Sequence, residues 1–103
     1  MMTRQDLKPY LGQEVGIQCV AEYSGQAPHG PVRCVVDIKV MNVVNHRLQH
    51  ITDIDHIWVQ HPDEVLQSLQ VGKTIRAIGR VQEYRKKGGV KDYTIAGLRI
   101  VSA

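Results

Sequence analysis

The sequence predicts an all-β fold of five short strands, closed into a Greek-key barrel, with one short helix between strands 3 and 4. Three observations carry this expectation. Apolar and polar residues alternate with period two over five separate stretches. Turns rich in Gly, Pro and Asn lie between most of them. A single segment, 62–70, has helical spacing instead. Five short strands left open would expose two edges, and closure removes them.

At 103 residues the chain fits one domain, spanning 1–103. Hydrophobic residues make up 43% and charged residues 22%, ordinary values for a soluble globular protein. No apolar run approaches the roughly 20 residues that cross a bilayer. Met1-Met2-Thr3-Arg4-Gln5-Asp6 turns polar at once, without the apolar stretch of a signal peptide. The expected compartment is therefore the cytoplasm, with no membrane partner. Cys19 and Cys34 form neither a CxxC pair nor a disulfide framework and are expected to be buried thiols.

The elements follow in order. Thr3-Arg4-Gln5-Asp6 has the form of a capping box, and Pro9 limits the turn it starts. Leu7 and Leu11 are placed to plug one end of a core, and Gly12 breaks the segment. Residues 14–23 read as strand 1, with Val15, Ile17, Cys19, Ala21 and Tyr23 on one face and Gly16 opposite, as a bulge or sharp coil. Residues 24–31 hold two Pro and two Gly and read as a loop. Strand 2 covers 33–44, with Cys34, Val36, Ile38, Val40 and Val44 as its apolar row, and Asn45-His46 turns the chain.

Residues 47–59 return as an irregular strand 3, since Asp53 and Asp55 are poor strand formers. In the 62–70 helix, Pro62 suits the first turn, and Asp63 and Glu64 face the positive end of the dipole. Val65, Leu66 and Leu69 form its stripe, and Gly72 ends it. Strand 4 covers 73–85, with Ile75, Ala77, Gly79 and Val81 on one face and Arg76, Ile78, Arg80, Gln82 and Tyr84 on the other. Gly88-Gly89 makes a hairpin to strand 5 at 90–101. Its two rows, one beginning at Tyr93 and one at Thr94, are too alike to tell which faces inward.

The stretch 71–81, Val-Gly-Lys-Thr-Ile-Arg-Ala-Ile-Gly-Arg-Val, resembles the oligonucleotide/oligosaccharide-binding (OB) superfamily, whose members often follow their helix with a turn Gly and a strand that bends at a Gly. The end of the chain, 91–101, is similar to their last strand. The resemblance implies an OB-type barrel whose ligand crosses strands 2 and 3, flanked here by loops 24–31 and 85–90.

Charge agrees with that placement. The net charge is +3, but residues 73–91 carry seven basic side chains against Glu83, a local +6, and the other six basic and nine acidic residues leave −3. The candidate nucleic-acid contacts are Arg76, Arg80, Arg85, Lys86, Lys87 and Lys91, with Tyr84 and Trp58 as stacking platforms. The plainer reading of the basic hairpin is edge protection and solubility. Trp58 has two readings, inward as core or outward as a platform. With four Tyr, one Trp and no Phe, aromatic platforms are few.

The spacing of His50, Asp53, Asp55 and His56 matches no metal-ligand template. No serine lies in a nucleophile motif, and the phosphate-loop spacing is missing around Lys87-Gly88-Gly89. No enzyme activity, metal or cofactor is therefore expected. The leading expectation is a binder of single-stranded nucleic acid without sequence preference, DNA ahead of RNA, possible as a homo-oligomer. The alternative is a protein–protein adaptor or oligomerising subunit presenting Val35, Met41 and Val43. A small-molecule or sugar-binding barrel stands third.

Overall fold

A computed structural model describes residues 4–86 and 88–102, with Val43 and Val44 described in backbone only. A 3-10 segment, Arg4–Tyr10, leads into β1 (Glu14–Ala27), β2 (Gly30–Val44) and β3 (Arg47–Gln60). The helix α1 (Glu64–Ser68) precedes β4 (Thr74–Arg85) and β5 (Lys91–Ser102). The five strands and the intervening helix are those read from the sequence. They form one antiparallel sheet in the order β3-β2-β1-β4-β5. The first three strands are a meander, and the chain then crosses so that β4 pairs with the free side of β1.

The expected barrel needs one correction. No ladder joins β3 to β5 among the described residues, so both remain edges. The two edges nevertheless approach, and the 3-10 segment lies in the seam between them. Arg4 donates to the carbonyl of His56 on β3 and, at 3.4 Å, to that of Tyr93 on β5. Asp6 accepts from Thr52 on β3 at 3.1 Å, and Gln5 donates to the Lys91 carbonyl on β5 at 3.2 Å. Leu7 is fully buried beneath, whereas Leu11, expected beside it, is 47% exposed. Thr3, the first residue of the capping box, lies outside the described residues.

Residues 24–31 are mostly strand, not loop. The β1–β2 ribbon runs to Ala27↔Gly30, so the turn is only Pro28-His29. Pro31 is tolerated because the ribbon end demands few donors. The helix is shorter than 62–70 because Asp63 serves as its cap, accepting from the Leu66 N–H at 2.8 Å. Leu66 is buried, whereas Val65 faces solvent.

Two bulges explain where alternation failed as a guide. In β2, Asp37 adopts φ 51°, and the buried side chains change from Val35 to Ile38 and Val40. Val35, read as a docking surface, is therefore core, and Cys34 shares the other face with its β3 partner Trp58. In β5, Gly97 adopts φ 65°, and the buried row passes from Tyr93 and Ile95 to Leu98. Neither β5 row faces inward throughout. Gly16, by contrast, pairs regularly with Met41 and Ile78.

The core joins Val15, Ile17 and Cys19 of β1 to Val35, Ile38, Ile54, Ile57, Ile75, Val81 and Ile95 of the other strands. Burial pushes the Cys19 thiol up to about 12. Arg33, only 1% exposed, enters the same side and donates to the carbonyls of Leu66 at 3.4 Å and Gln67 at 2.9 Å, fastening α1 to β2.

At Gly79 a Cβ would lie 2.4 Å from Ile95 Cγ2 and 2.7 Å from Leu98 Cδ2, where the β5 bulge presses on β4. Gly79→Ala is expected to cost about 1–3 kcal/mol by overpacking, read as a lower urea midpoint. At Gly16 a Cβ meets only the Met41 carbonyl oxygen, at 3.8 Å, so Gly16→Ala should leave that midpoint unchanged or raised.

Candidate nucleic-acid interface

The outer face of the β1–β3 half carries an aromatic pair. Between Ala21 and Ser24 the β1 register slips against β2, which brings Tyr23 out of the core row assigned to it from the sequence. Its ring lies over Gly25, where a Cβ would stand 2.4 Å from the Tyr23 hydroxyl. Trp58, beside Cys34, meets Tyr23 edge to face, with ring centroids 6.0 Å apart and planes at 73°. Tyr23 is 57% and Trp58 48% exposed, which decides between the two readings of Trp58 in favour of the surface. Val32 and Cys34 of the same outer row are each only 6% exposed. Burial, then the charge of Glu22, raises the Cys34 thiol above its ordinary value.

The expected basic set does not converge on this pair. Arg76 and Arg80 are exposed on β4, the former opposite Gln18 and the latter opposite Glu14 of β1. The Arg80 guanidinium donates to the Gly12 carbonyl. The Arg76 side chain has no hydrogen-bond or ion-pair partner among the described residues. Arg99, which sequence reasoning passed over, joins them on β5 opposite Ile78 and pairs with Glu14 at 3.2 Å.

The hairpin cations form a third group, and the three that are described each have a partner. Arg85 donates to the Gly89 carbonyl at 3.4 Å, and Lys91 pairs with Glu83 at 3.7 Å. Lys86 pairs with Asp92 at 2.8 Å. Lys87 lies outside the described residues. Exposed pairs such as Lys91–Glu83 contribute about 0–1 kcal/mol and hold their lysines lightly. Tyr84 is only half-exposed. The Arg4 guanidinium stands 5.9 Å from its ring centroid, and its hydroxyl donates to Asp92 at 3.5 Å, so it belongs to the seam.

The seam opens as a cleft of about 390 Å³ between Asp53, Asp55 and His56 of β3 and, on the other side, Val90 and Asp92, which flank the start of β5. Asp92 is its buried anion, 4% exposed. Burial alone would raise its carboxyl. The hydrogen bond from Lys86, that from the Tyr93 N–H at 2.9 Å, the Lys86 charge and the Gln5 amide outweigh burial and hold it below the ordinary carboxylate value. The same contact raises the Lys86 ammonium. His50 meets Asp53 at 2.7 Å, but no group of three metal-ligating side chains occurs among the described residues.

No family model, curated protein or solved structure matches the chain. No helix among the described residues is long and apolar enough to cross a membrane. Tyr23 carried a faint signal, since a Tyr two residues before a Gly on a strand can lie across the bare backbone. Arg33 and Arg4 carried none, because their partners are distant in sequence.

The folded Asp92 carboxyl titrates below its ordinary value of 3.8, so its stabilising contribution is complete above that pH and is lost as pH falls through the folded value. The urea midpoint of the parent chain should therefore fall more steeply with acid than that of Asp92→Asn. Parallel curves for the two proteins would show that Asp92 contributes nothing to the acid limb.

Proposed function

We propose that this chain is an OB-type barrel module that binds single-stranded nucleic acid without sequence preference, DNA ahead of RNA. The observation that carries the reading is the exposed Tyr23–Trp58 pair on the outer face of β1–β3. Large aromatics half in solvent leave apolar area uncovered, and every base offers a π-face to stack on it. The strand order supports the OB reading, since β1 lies between β2 and β4 while β3 and β5 face each other across the seam. Phosphates would meet Arg76, Arg80 and the hairpin cations Arg85, Lys86, Lys87 and Lys91. Tyr84 drops from stacking platform to seam residue in this reading.

The module is non-catalytic and takes no cofactor or metal. An adaptor or oligomerising subunit is the alternative, favoured by the two unpaired edges, which can accept a further strand. Light scattering at two concentrations distinguishes it: self-association that persists in excess oligonucleotide favours the adaptor.

Anisotropy of a labelled oligo-dT should report binding that weakens as salt rises, with a log–log slope of about −0.7 per phosphate neutralised. Tyr23→Ala and Trp58→Ala should each weaken it about 5- to 150-fold, the equivalent of about 1–3 kcal/mol per stacked base. Absence of binding at low salt, or parent-like affinity in both variants, sinks the proposal.

A further inference from the structure

We propose that the bound strand continues from the aromatic pair onto a second track, across the outer face of β2, β1 and β4, with Gly16 as its floor. The inference rests on the nucleic-acid reading above and adds where the rest of the strand runs.

The registers define that face. One row across the sheet is Lys39 on β2, Gln18 on β1 and Arg76 on β4. The next is Met41, Gly16, Ile78 and then Arg99 on β5. A third sets Glu14 beside Arg80. Gly16 places no side chain between Met41 and Ile78, and a hollow of about 240 Å³ opens at Glu14, Gly16, Asn42 and Ile78; a second, of about 330 Å³ between β4 and β5, adjoins it at Glu14 and Ile78. The space is unobstructed, since a Cβ at Gly16 comes no closer than 3.8 Å to any neighbour. Val15 and half-buried Ile78 beside Gly16 give the smaller hollow an apolar floor, and Met41 stands in the same cross-strand row.

The rim is cationic. The side chains of Lys39 and Arg76 are exposed and have no hydrogen-bond or ion-pair partner among the described residues. Arg80 is held by a backbone carbonyl and Arg99 by Glu14, and beyond Lys39 the row ends at Asp53 of β3, which is engaged by His50. Two strand spacings separate Lys39 from Arg76, about 10 Å, and Arg76 lies about 13 Å from Arg80 along β4. A frame of that size, apolar within and basic around, suits a base on its floor and phosphates at its rim. Guanidinium groups are well matched to phosphate oxygens. A second copy of the chain is a poor occupant, because a two-fold contact would set these cations against their own kind. The track also joins the aromatic pair: Lys39 and Cys34, the β2 neighbour of Trp58, are both on β2, about 16 Å apart.

The test uses a labelled oligo-dT of about sixteen nucleotides, the upper range for one OB barrel. Gly16→Leu fills the hollow from an unstrained backbone position, and Arg76→Gln removes a rim charge without touching the core. Thermal midpoints matching the parent confirm that both variants fold. Each should weaken binding about 10-fold, and Arg76→Gln should also make the salt slope shallower by about 0.7. Weakening in Tyr23→Ala with none in Gly16→Leu or Arg76→Gln overturns the track and leaves the aromatic site standing. Absence of binding by the parent overturns both. A dimer of the parent chain that dissociates in Gly16→Leu assigns this face to a second copy and overturns the track.

Discussion

The fold depends on a sheet that curls without closing, and on one guanidinium that spans what is left open. Arg4 donates to β3 and β5 at once and lies against the Tyr84 ring. Around it, Gln5 and Asp6 tie the same segment to both edges, and Leu7 seals the core below. A ladder would pair every second residue along the seam. Here a few side-chain hydrogen bonds do so, and the backbone between them keeps its unpaired groups. Edge strands are prone to recruit other chains. This pair is guarded by the covering segment and by exposed charges such as Asp53, Asp55 and Lys91.

The curl also separates the chemistry. Aromatic surface lies on the β1–β3 half, cations with unpartnered side chains lie where β1 meets β2 and β4, and Lys86 and Lys91 of the hairpin line the seam, where the buried Asp92 engages Lys86. A continuous stretch of basic sequence thus becomes two groups with different duties. Lys86 is engaged by Asp92, whereas Arg76 of the same stretch stands exposed with no side-chain partner among the described residues.

Much of the architecture was legible in the sequence because period-two alternation reports burial directly. Val15, Ile17 and Cys19 lie inward as their spacing requires, as do Ile75, Ala77 and Val81. Legibility stopped where one residue changed the phase. Asp37 and Gly97 each shift the buried row, so Val35 entered the core and the two β5 rows each supplied part of it. Composition misled at residues 24–31, where Pro and Gly end a strand ribbon instead of forming a loop. The aromatic partner of Trp58 was hidden because Tyr23 continued an apolar row until the register slip brought it outward. Arg33 is the clearest limit. A buried guanidinium whose Nε and Nη2 lack partners has no signature in local sequence.

The seam also orders events in time. The side chain that seals it sits at Arg4, and one of its partners, Thr94, is 90 residues further along the chain. The meander of β1, β2 and β3 forms from neighbouring segments, but the seam contacts cannot form until β5 is present. Closing a loop of that length has a high entropic cost and gains only a few hydrogen bonds at the end. During synthesis on a ribosome the half-sheet would therefore wait with one flank of β1 unpaired until β4 arrives, and the seam would stay unsealed until β5 emerges.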